Sequence, residues 1–146
     1  MSDVVVSIDI DAPRQQVWDD VARLDTHVEW MADADRIDFL TPYTSGPGVA
    51  MEVATSFGPF RTKDRMEVVA WVPPERIEVV HVGLFTGRGA FELASLSATR
   101  TRFTWQETIR FPWYFGGRIG ASVARPVFRW VWRRNLRRLA ARFSDR

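Results

Sequence analysis

Two ionisable side chains interrupt patterns that are otherwise typical of the buried face of a strand. His81 continues an alternation of apolar residues that begins at Ile77, and Glu107 follows Trp105 in another. If one further strand separates them, the strand spacing of about 4.8 Å would place the two side chains roughly 10 Å apart, with ligand or water between them. They could hydrogen-bond a ligand carbonyl or hydroxyl group, or act as general acid and base, because burial can shift a pKa toward neutrality. The competing interpretation pairs Glu107 with Arg65 or another buried base, and His81 with a backbone carbonyl.

Other chemistries find little support in the sequence. The chain has no Cys and two His, which excludes disulfides, thiolate nucleophiles and the usual zinc ligand sets. Asp33, Asp35 and Asp38 lack the glycine and the distal glutamate of a calcium loop. Residues 87–89 form too short a glycine motif for a dinucleotide, and no Gly-x-Ser-x-Gly elbow occurs. We therefore predict neither a metal nor a cofactor, and we interpret Asp64 as a solvated residue at a strand end.

The first forty residues would contribute strands and two short helices. Alternation over residues 4–10 predicts a strand, and Pro13 fits the first turn of a short amphipathic helix. Thr26 and Glu29 have the spacing of a capping box, which predicts the start of a second short helix. This helix would carry Val28, Trp30 and Met31. A further strand is expected over residues 37–40.

A period of two dominates residues 49–111 and is interrupted four times by glycine, proline or polar residues. The breaks define five consecutive strands whose connections are too short for crossover helices, so we predict an antiparallel meander. The inward face of the second of these strands would carry Met66, Val68 and Ala70. Inward-facing residues would form either the walls of a pocket or an ordinary packed core. The predicted ligand-binding residues are Trp30, Met31, Met51, Phe57, Met66, His81, Phe91, Phe103, Trp105, Glu107, Val123 and Val127.

The end of the chain combines a helical pattern with strong positive charge. Residues 110–146 contain ten Arg and one acid, a net charge of +9, whereas the other 109 residues have a net charge of −7. Two apolar stripes run along the helix predicted over residues 116–144. The first consists of Ala121, Ala124, Phe128, Trp132, Leu139 and Phe143. The second consists of Ile119, Val123, Val127 and Trp130. One stripe should cover the sheet, and the other is explained by a kink at Pro126, or by contact with a partner, a membrane or the pocket.

This order of elements resembles the START-like, or SRPBCC, superfamily with its helix-grip fold. Residues 8–18, IDIDAPRQQVW, look like the opening strand and helix start of that superfamily, and residues 27–31, HVEWM, look like its tryptophan-bearing second helix. Residues 65–77 look like its strand, double-proline turn and next strand, and residues 133–139 look like its helix end. The resemblance implies one α+β domain over residues 1–146, with a curved antiparallel sheet of about seven strands wrapped around the C-terminal helix. Within the superfamily, the polyketide cyclase/dehydrase-like proteins are the most similar.

The resemblance and the residues leave three functions open. The first is binding of a small hydrophobic ligand, such as a lipid, a fatty acid or a polyketide-like molecule, in a cavity between sheet and C-terminal helix. The second is a cyclase or dehydratase in which His81 or Glu107 moves a proton. The third is an interaction module whose arginine-rich helix binds an acidic partner or ribosomal RNA. The modest net charge of +2 disfavours specific nucleic-acid binding.

Partners and compartment can also be predicted. The aromatic residues Trp113, Tyr114 and Phe115 beside Arg118 indicate transient contact with an anionic membrane, unless the aromatics close the pocket. The second apolar stripe leaves a homodimer open. The chain starts without a signal-peptide pattern and lacks a run of about 18 apolar residues, so we expect a cytoplasmic protein. Nineteen Arg against one Lys is typical of a GC-rich genome such as that of an actinobacterium.

Overall fold

Strands are the most frequent secondary structure in this protein. The computed structural model describes residues 2–57, 59–83, 86–111 and 113–144, without the side chains of Ser2, Asp3, Phe57, Phe60 and Phe115. The strands are β1 (Ser2–Ile10), β2 (Ala34–Phe39), β3 (Ala50–Phe57), β4 (Phe60–Val72), β5 (Arg76–Val82), β6 (Thr86–Ser97) and β7 (Arg100–Arg110). The helices are α1 (Arg14–Val21) and α2 (Gly117–Ser144), and 3₁₀-helices span Leu24–Glu29 and Trp113–Phe115.

These strands form an antiparallel sheet in the order β1-β7-β6-β5-β4-β3-β2. Strands β2 to β7 each lie beside their neighbours in sequence, because their connections are too short to cross the sheet. The first strand pairs with β7 from Ser2 to Ile10. The sheet curls into a half-barrel around α2, which confirms the predicted α+β helix-grip fold.

The N-terminal helices differ from the prediction in detail. Pro13 is the N-cap of α1 and has an extended conformation. The second helix is a 3₁₀-helix, and Thr26 lies inside it, donating its hydroxyl hydrogen to the Arg23 carbonyl oxygen at 2.7 Å. The predicted capping box is therefore wrong, because the Thr26 hydroxyl satisfies a preceding carbonyl instead of a free N–H group at a helix start. Trp30 is the C-cap of this helix, and Met31 lies beyond it.

A β-bulge changes the predicted inward face of β4. Between Val68 and Ala70 the register with β5 shifts, and Ala70 pairs with Glu78 on the outer face of the sheet. The extra residue turns Trp71 inward, because successive side chains alternate between the two faces. The Trp71 ring contacts that of Trp18 in α1, with ring centroids 5.4 Å apart. The prediction that Ala70 faces inward is wrong for this reason.

The C-terminal half of α2 anchors the helix in the core. Leu136, Leu139 and Phe143 are buried there, and α2 packs mainly against β1. Arg142 forms a bidentate ion pair with Asp20 of α1, because its Nε and Nη2 atoms each lie 2.9 Å from a different carboxylate oxygen. Within the described part of the chain, no helix is long and apolar enough to cross a membrane.

Candidate functional site

A cavity of about 780 Å³ lies between the concave face of the sheet and the N-terminal half of α2. Strands β3 to β7 supply most of its walls, and Leu24 and His27 of the first 3₁₀-helix line it as well. Its volume is within the range of small-molecule sites in proteins. Most of the lining side chains are apolar. The polar exceptions include Asp33, Thr55, Arg61, Thr62, Asp64, His81, Thr86 and Glu107.

The structure brings most of the predicted ligand-binding residues to this cavity. Those that line it are Met31, Met51, Met66, His81, Phe91, Trp105, Glu107, Val123 and Val127. Trp30 and Phe103 are instead fully buried behind the wall. The Trp30 ring lies 5.9 Å from that of Phe91 and 6.1 Å from that of Trp105, so it supports the two aromatic residues that do line the cavity. The side chain of Phe57 lies outside the described residues.

His81 and Glu107 contact each other directly across β6. The Nε2 atom of His81 lies 2.8 Å from Oε2 of Glu107, although β6 separates their strands. Gly89 is the β6 residue opposite Glu107, and a Cβ atom at Gly89 would lie 2.5 Å from Glu107 Oε1. The missing side chain leaves room for the carboxylate, so the predicted separation of about 10 Å does not apply to the ends of the side chains. Arg65 pairs with Glu67 instead, at 2.9 Å.

Hydrogen bonds to Glu107 determine which nitrogen atom of His81 is free. The Trp105 Nε1–H group donates to Glu107 Oε1 at 3.1 Å, so each carboxylate oxygen accepts a hydrogen bond. Because the carboxylate accepts, Nε2 of His81 donates, and the neutral ring keeps its lone pair on Nδ1. Within the described chain, Nδ1 has no hydrogen-bond partner. The Nε1 atom of Trp30 also has none and is inaccessible to solvent, whereas Nδ1 of His81 is accessible. A ligand in the cavity could therefore use Nδ1 as an acceptor, or as a donor when the ring is protonated.

Opposing effects determine the pKa of His81. Burial alone would lower this pKa, because it disfavours the charged imidazolium. The charge of Glu107 and the hydrogen bond to it outweigh burial, Asp64 acts in the same direction, and the pKa of His81 is raised above its ordinary value. His81 therefore takes up a proton more readily than an exposed histidine, and the pair with Glu107 can hold a proton inside the cavity.

Asn135 and Asp33 form a second polar group beside the cavity. Asn135 is fully buried in α2, accepts a hydrogen bond from the Ala32 backbone N–H at 3.0 Å and donates one to Asp33 Oδ1 at 2.8 Å. Burial raises the pKa of Asp33, the hydrogen bond from Asn135 opposes this, and the nearby charge of Glu107 adds to it. Asn135 was not among the residues predicted from the sequence, where the only sign of it is one amide between the apolar residues Trp132 and Leu139 of the first stripe.

Asp64 and His27 are further ionisable residues that line the cavity. Asp64 was predicted to be solvated, but it is half-buried on the wall, where Thr62 donates a hydrogen bond to it at 3.2 Å. His27 is buried, and its Nε2 atom lies 2.7 Å from the Val21 carbonyl oxygen. Burial lowers the pKa of His27 to about 4, so this ring is neutral near pH 7 and serves to pack and to hold the backbone.

The second apolar stripe of α2 lies at the edge of the cavity. Ile119, Val123 and Val127 line the cavity and also remain exposed, so they form part of its mouth. Trp130 continues the stripe beyond the cavity, with the Arg134 guanidinium 4.9 Å from its ring centroid. The first stripe behaves as predicted for its buried members, Ala121, Trp132, Leu139 and Phe143. The helix therefore uses one stripe for the core and much of the other for the cavity.

Comparison with known families agrees with this architecture. The family model described as polyketide cyclase/dehydrase and lipid transport matches residues 1–144. A search among curated proteins finds no significant match.

Solved structures with a similar fold cover nearly the whole chain. A protein from Thermus thermophilus aligns with a TM-score of 0.80 and 14% identity, covering 97% of this chain and 96% of the other. The Zhui aromatase/cyclase from Streptomyces sp. R1128 aligns with a TM-score of 0.74 and 15% identity, covering 96% and 92%. A START superfamily protein from Mycobacterium smegmatis aligns with a TM-score of 0.75 and 11% identity, covering 99% of both chains. At such low identity these likenesses concern the fold alone.

Proposed function

Because the chain belongs to the polyketide cyclase/dehydrase and lipid transport family, we propose that it binds a small hydrophobic ligand between the sheet and α2. The observation that carries this proposal is the cavity of about 780 Å³ with mainly apolar walls. Transfer of an apolar chain from water to such walls is favourable, by about 25 cal/mol for each Å² of apolar surface removed from water. The polar end of the ligand would contact His81 and Glu107.

The walls favour an amphiphile with a long apolar part and a polar group. Met51, Met66 and Val123 offer apolar contact, and the flexible methionines can adapt to chains of different shape. The Nδ1 atom of His81 would accept a hydrogen bond from a hydroxyl group or, when protonated, donate one to a carbonyl oxygen. A lipid, a fatty acid or a polyketide-like molecule has this combination of groups.

Native mass spectrometry of the purified protein tests the proposal without a prior choice of ligand. We expect a discrete additional mass, which denaturing extraction would identify as a small amphiphile. A protein that carries no such mass would then be titrated with the fluorescent apolar probe 1-anilinonaphthalene-8-sulfonate. Failure of the probe to bind would overturn the proposal.

Two alanines on α2 provide a matched pair of variants for this titration. Ala124 lines the cavity, whereas Ala141 is exposed and does not line it. Ala124→Trp should fill part of the cavity and weaken probe binding by about tenfold, a change of about 1.4 kcal/mol. Ala141→Trp adds the same indole to the same helix and should leave probe binding unchanged. Equal binding by both variants would place the probe outside the cavity.

The contact between His81 and Glu107 favours a second candidate function, a cyclase or dehydratase. The Glu107 carboxylate holds Nε2–H, so Nδ1 could remove a proton from a carbon atom between two carbonyl groups of a poly-β-ketone chain. The resulting enolate carbon would attack another carbonyl group of the same chain and form a carbon–carbon bond. The proton held by His81 would then pass to the new alkoxide. In a dehydration, it would instead pass to the departing hydroxyl group, which leaves as water.

A conservative pair of substitutions separates this activity from binding. Glu107→Gln keeps the shape of the side chain and removes the charge that orients His81, so turnover of a poly-β-ketone thioester should fall about 100-fold. Probe binding should change little. Glu92 is on the outer face of the sheet, bonded to Gln106 at 3.1 Å, and Glu92→Gln is the control. Unchanged turnover in Glu107→Gln would exclude this role for Glu107.

A further inference from the structure

The N-terminal part of α2 and the 3₁₀-helix before it expose an unusual amount of apolar surface. Trp113 is 86% exposed, Ile119 78%, Val123 72% and Trp130 59%. On α2, Ile119, Val123, Val127 and Trp130 follow one another at helical spacing, so they share one face. Contiguous exposed apolar surface of this kind marks an interaction site more often than isolated exposed residues do. We call Ile119, Val123, Val127 and Trp130, together with Trp113 and Tyr114 just before the helix, the apolar face of α2.

The segment that carries this face is rich in positive charge. Between residues 113 and 144 the chain contains eight Arg and no Asp or Glu. Arg142 is paired with Asp20, but Arg118, Arg133 and Arg137 have no acidic partner among the described residues, and all three are exposed. A partner that covers the face must therefore tolerate unpaired arginines around apolar contacts, which requires negative charge at its surface.

We propose that the apolar face of α2 docks on an anionic lipid bilayer. Tryptophan and tyrosine favour the boundary between headgroups and acyl chains, where one edge of the ring is apolar and the other is wet. Arginines beside them would contact the lipid phosphates, and each basic residue near such a surface strengthens binding about fivefold. A second copy of this chain fits less well, because two arginine-flanked faces would repel each other in a symmetric dimer.

The position of the face connects docking to the cavity. Ile119, Val123 and Val127 belong to both the apolar face and the cavity mouth, so the bilayer would cover the mouth when the protein docks. An apolar ligand could then pass between acyl chains and cavity without exposing its apolar surface to water, which is unfavourable. This link to ligand transfer rests on the proposed function, whereas docking itself does not.

Vesicle co-sedimentation of the full chain tests the proposal. The protein should bind vesicles of phosphatidylcholine with about 30 mol% phosphatidylglycerol at least about tenfold more strongly than vesicles of phosphatidylcholine alone, and salt should weaken the binding. The double variant Trp113→Ser/Trp130→Ser should bind the anionic vesicles about tenfold more weakly. The triple variant Arg118→Ser/Arg133→Ser/Arg137→Ser should lose about 100-fold, from three residues at about fivefold each.

Controls keep docking separate from folding and from ligand binding. The tryptophans and arginines changed in these variants do not line the cavity, so binding of the apolar probe should stay the same in both variants. Val72→Ser/Leu96→Ser removes exposed apolar residues elsewhere and should not alter vesicle binding. Loss of probe binding alone would count against the proposed function and not against docking. Equal binding of wild type and the tryptophan variant to anionic vesicles would overturn the docking proposal, as would a concentration-dependent dimer that Trp130→Ser abolishes.

Discussion

Replacement of Gly89 by alanine should break the contact between His81 and Glu107 without changing either residue. A Cβ atom at Gly89 would lie 2.5 Å from Oε1 and 2.8 Å from Cδ of Glu107, both far inside van der Waals contact. The backbone of Gly89 does not need a positive φ, so the effect comes from this overlap and not from backbone strain. The carboxylate must move off β6, and His81 then loses the charge that raises its pKa.

The chain makes this change easy to measure because it contains two histidines with different surroundings. In wild type, an NMR titration should show His81 with a raised pKa and His27 with a pKa of about 4. In Gly89→Ala the pKa of His81 should fall below its ordinary value, because burial remains while the carboxylate is displaced. The displaced carboxylate also loses the hydrogen bonds from Trp105 and His81, which should lower the free energy of unfolding by about 1–3 kcal/mol and the melting temperature by several degrees.

Glu107→Gln is the matched reference for this experiment. It removes the charge without adding an atom to β6, so it should lower the pKa of His81 in the same direction with less effect on packing. The pKa of His27 should stay near 4 in both variants and serves as an internal control. If His81 titrates in Gly89→Ala as it does in wild type, the carboxylate does not depend on the space at Gly89, and the reasoning is refuted.

Further predictions concern stability and the two halves of α2. The folded pKa of His27 is about 4 and its ordinary value is 6.5, so the unfolded chain takes up a proton first as the pH falls, and about 3 kcal/mol of stability should be lost between these values. Urea unfolding of wild type and His27→Gln at about pH 7 and pH 4.5 checks this, and an equal loss in both would contradict it. Asn135→Ala should lower the free energy of unfolding by about 2–3 kcal/mol, because the half-buried Asp33 carboxylate loses a hydrogen bond; a loss below about 0.5 kcal/mol in thermal or urea unfolding would count against it. Hydrogen exchange should be faster in residues 117–128 than in residues 135–143 before ligand is added, and a bound ligand should slow the first segment; uniform exchange along the helix would contradict this.

The sequence predicted the sheet and the cavity walls better than the contacts within the site. Alternation along the strands shows which side chains face the core, so the inward positions of Met66 and Trp105 could be predicted. The short connections between β3 and β7 predicted their antiparallel meander, whereas the pairing of β1 with β7 was not predicted. The bulge before Ala70 adds one residue to β4. It could not be predicted from the alternation, because a bulge is defined by how β4 pairs with β5. Contact between His81 and Glu107 depends on a long side chain that lies over a glycine of the intervening strand, which strand spacing alone does not describe.

Core packing and cavity lining are concentrated in different halves of α2. The C-terminal half is held by buried apolar residues, by the Asn135 amide and by the ion pair of Arg142 with Asp20, none of which belongs to the part of the mouth formed by Ile119, Val123 and Val127. In the N-terminal half, Ile119 and Val123 face both the cavity and solvent. This half therefore removes less apolar surface from water than a helix packed on a solid core would. An exposed apolar residue costs little stability when it is changed, because the folded state keeps it in water as the unfolded state does. Under the proposed function, substitutions at the mouth should therefore alter which ligand binds while the fold remains intact.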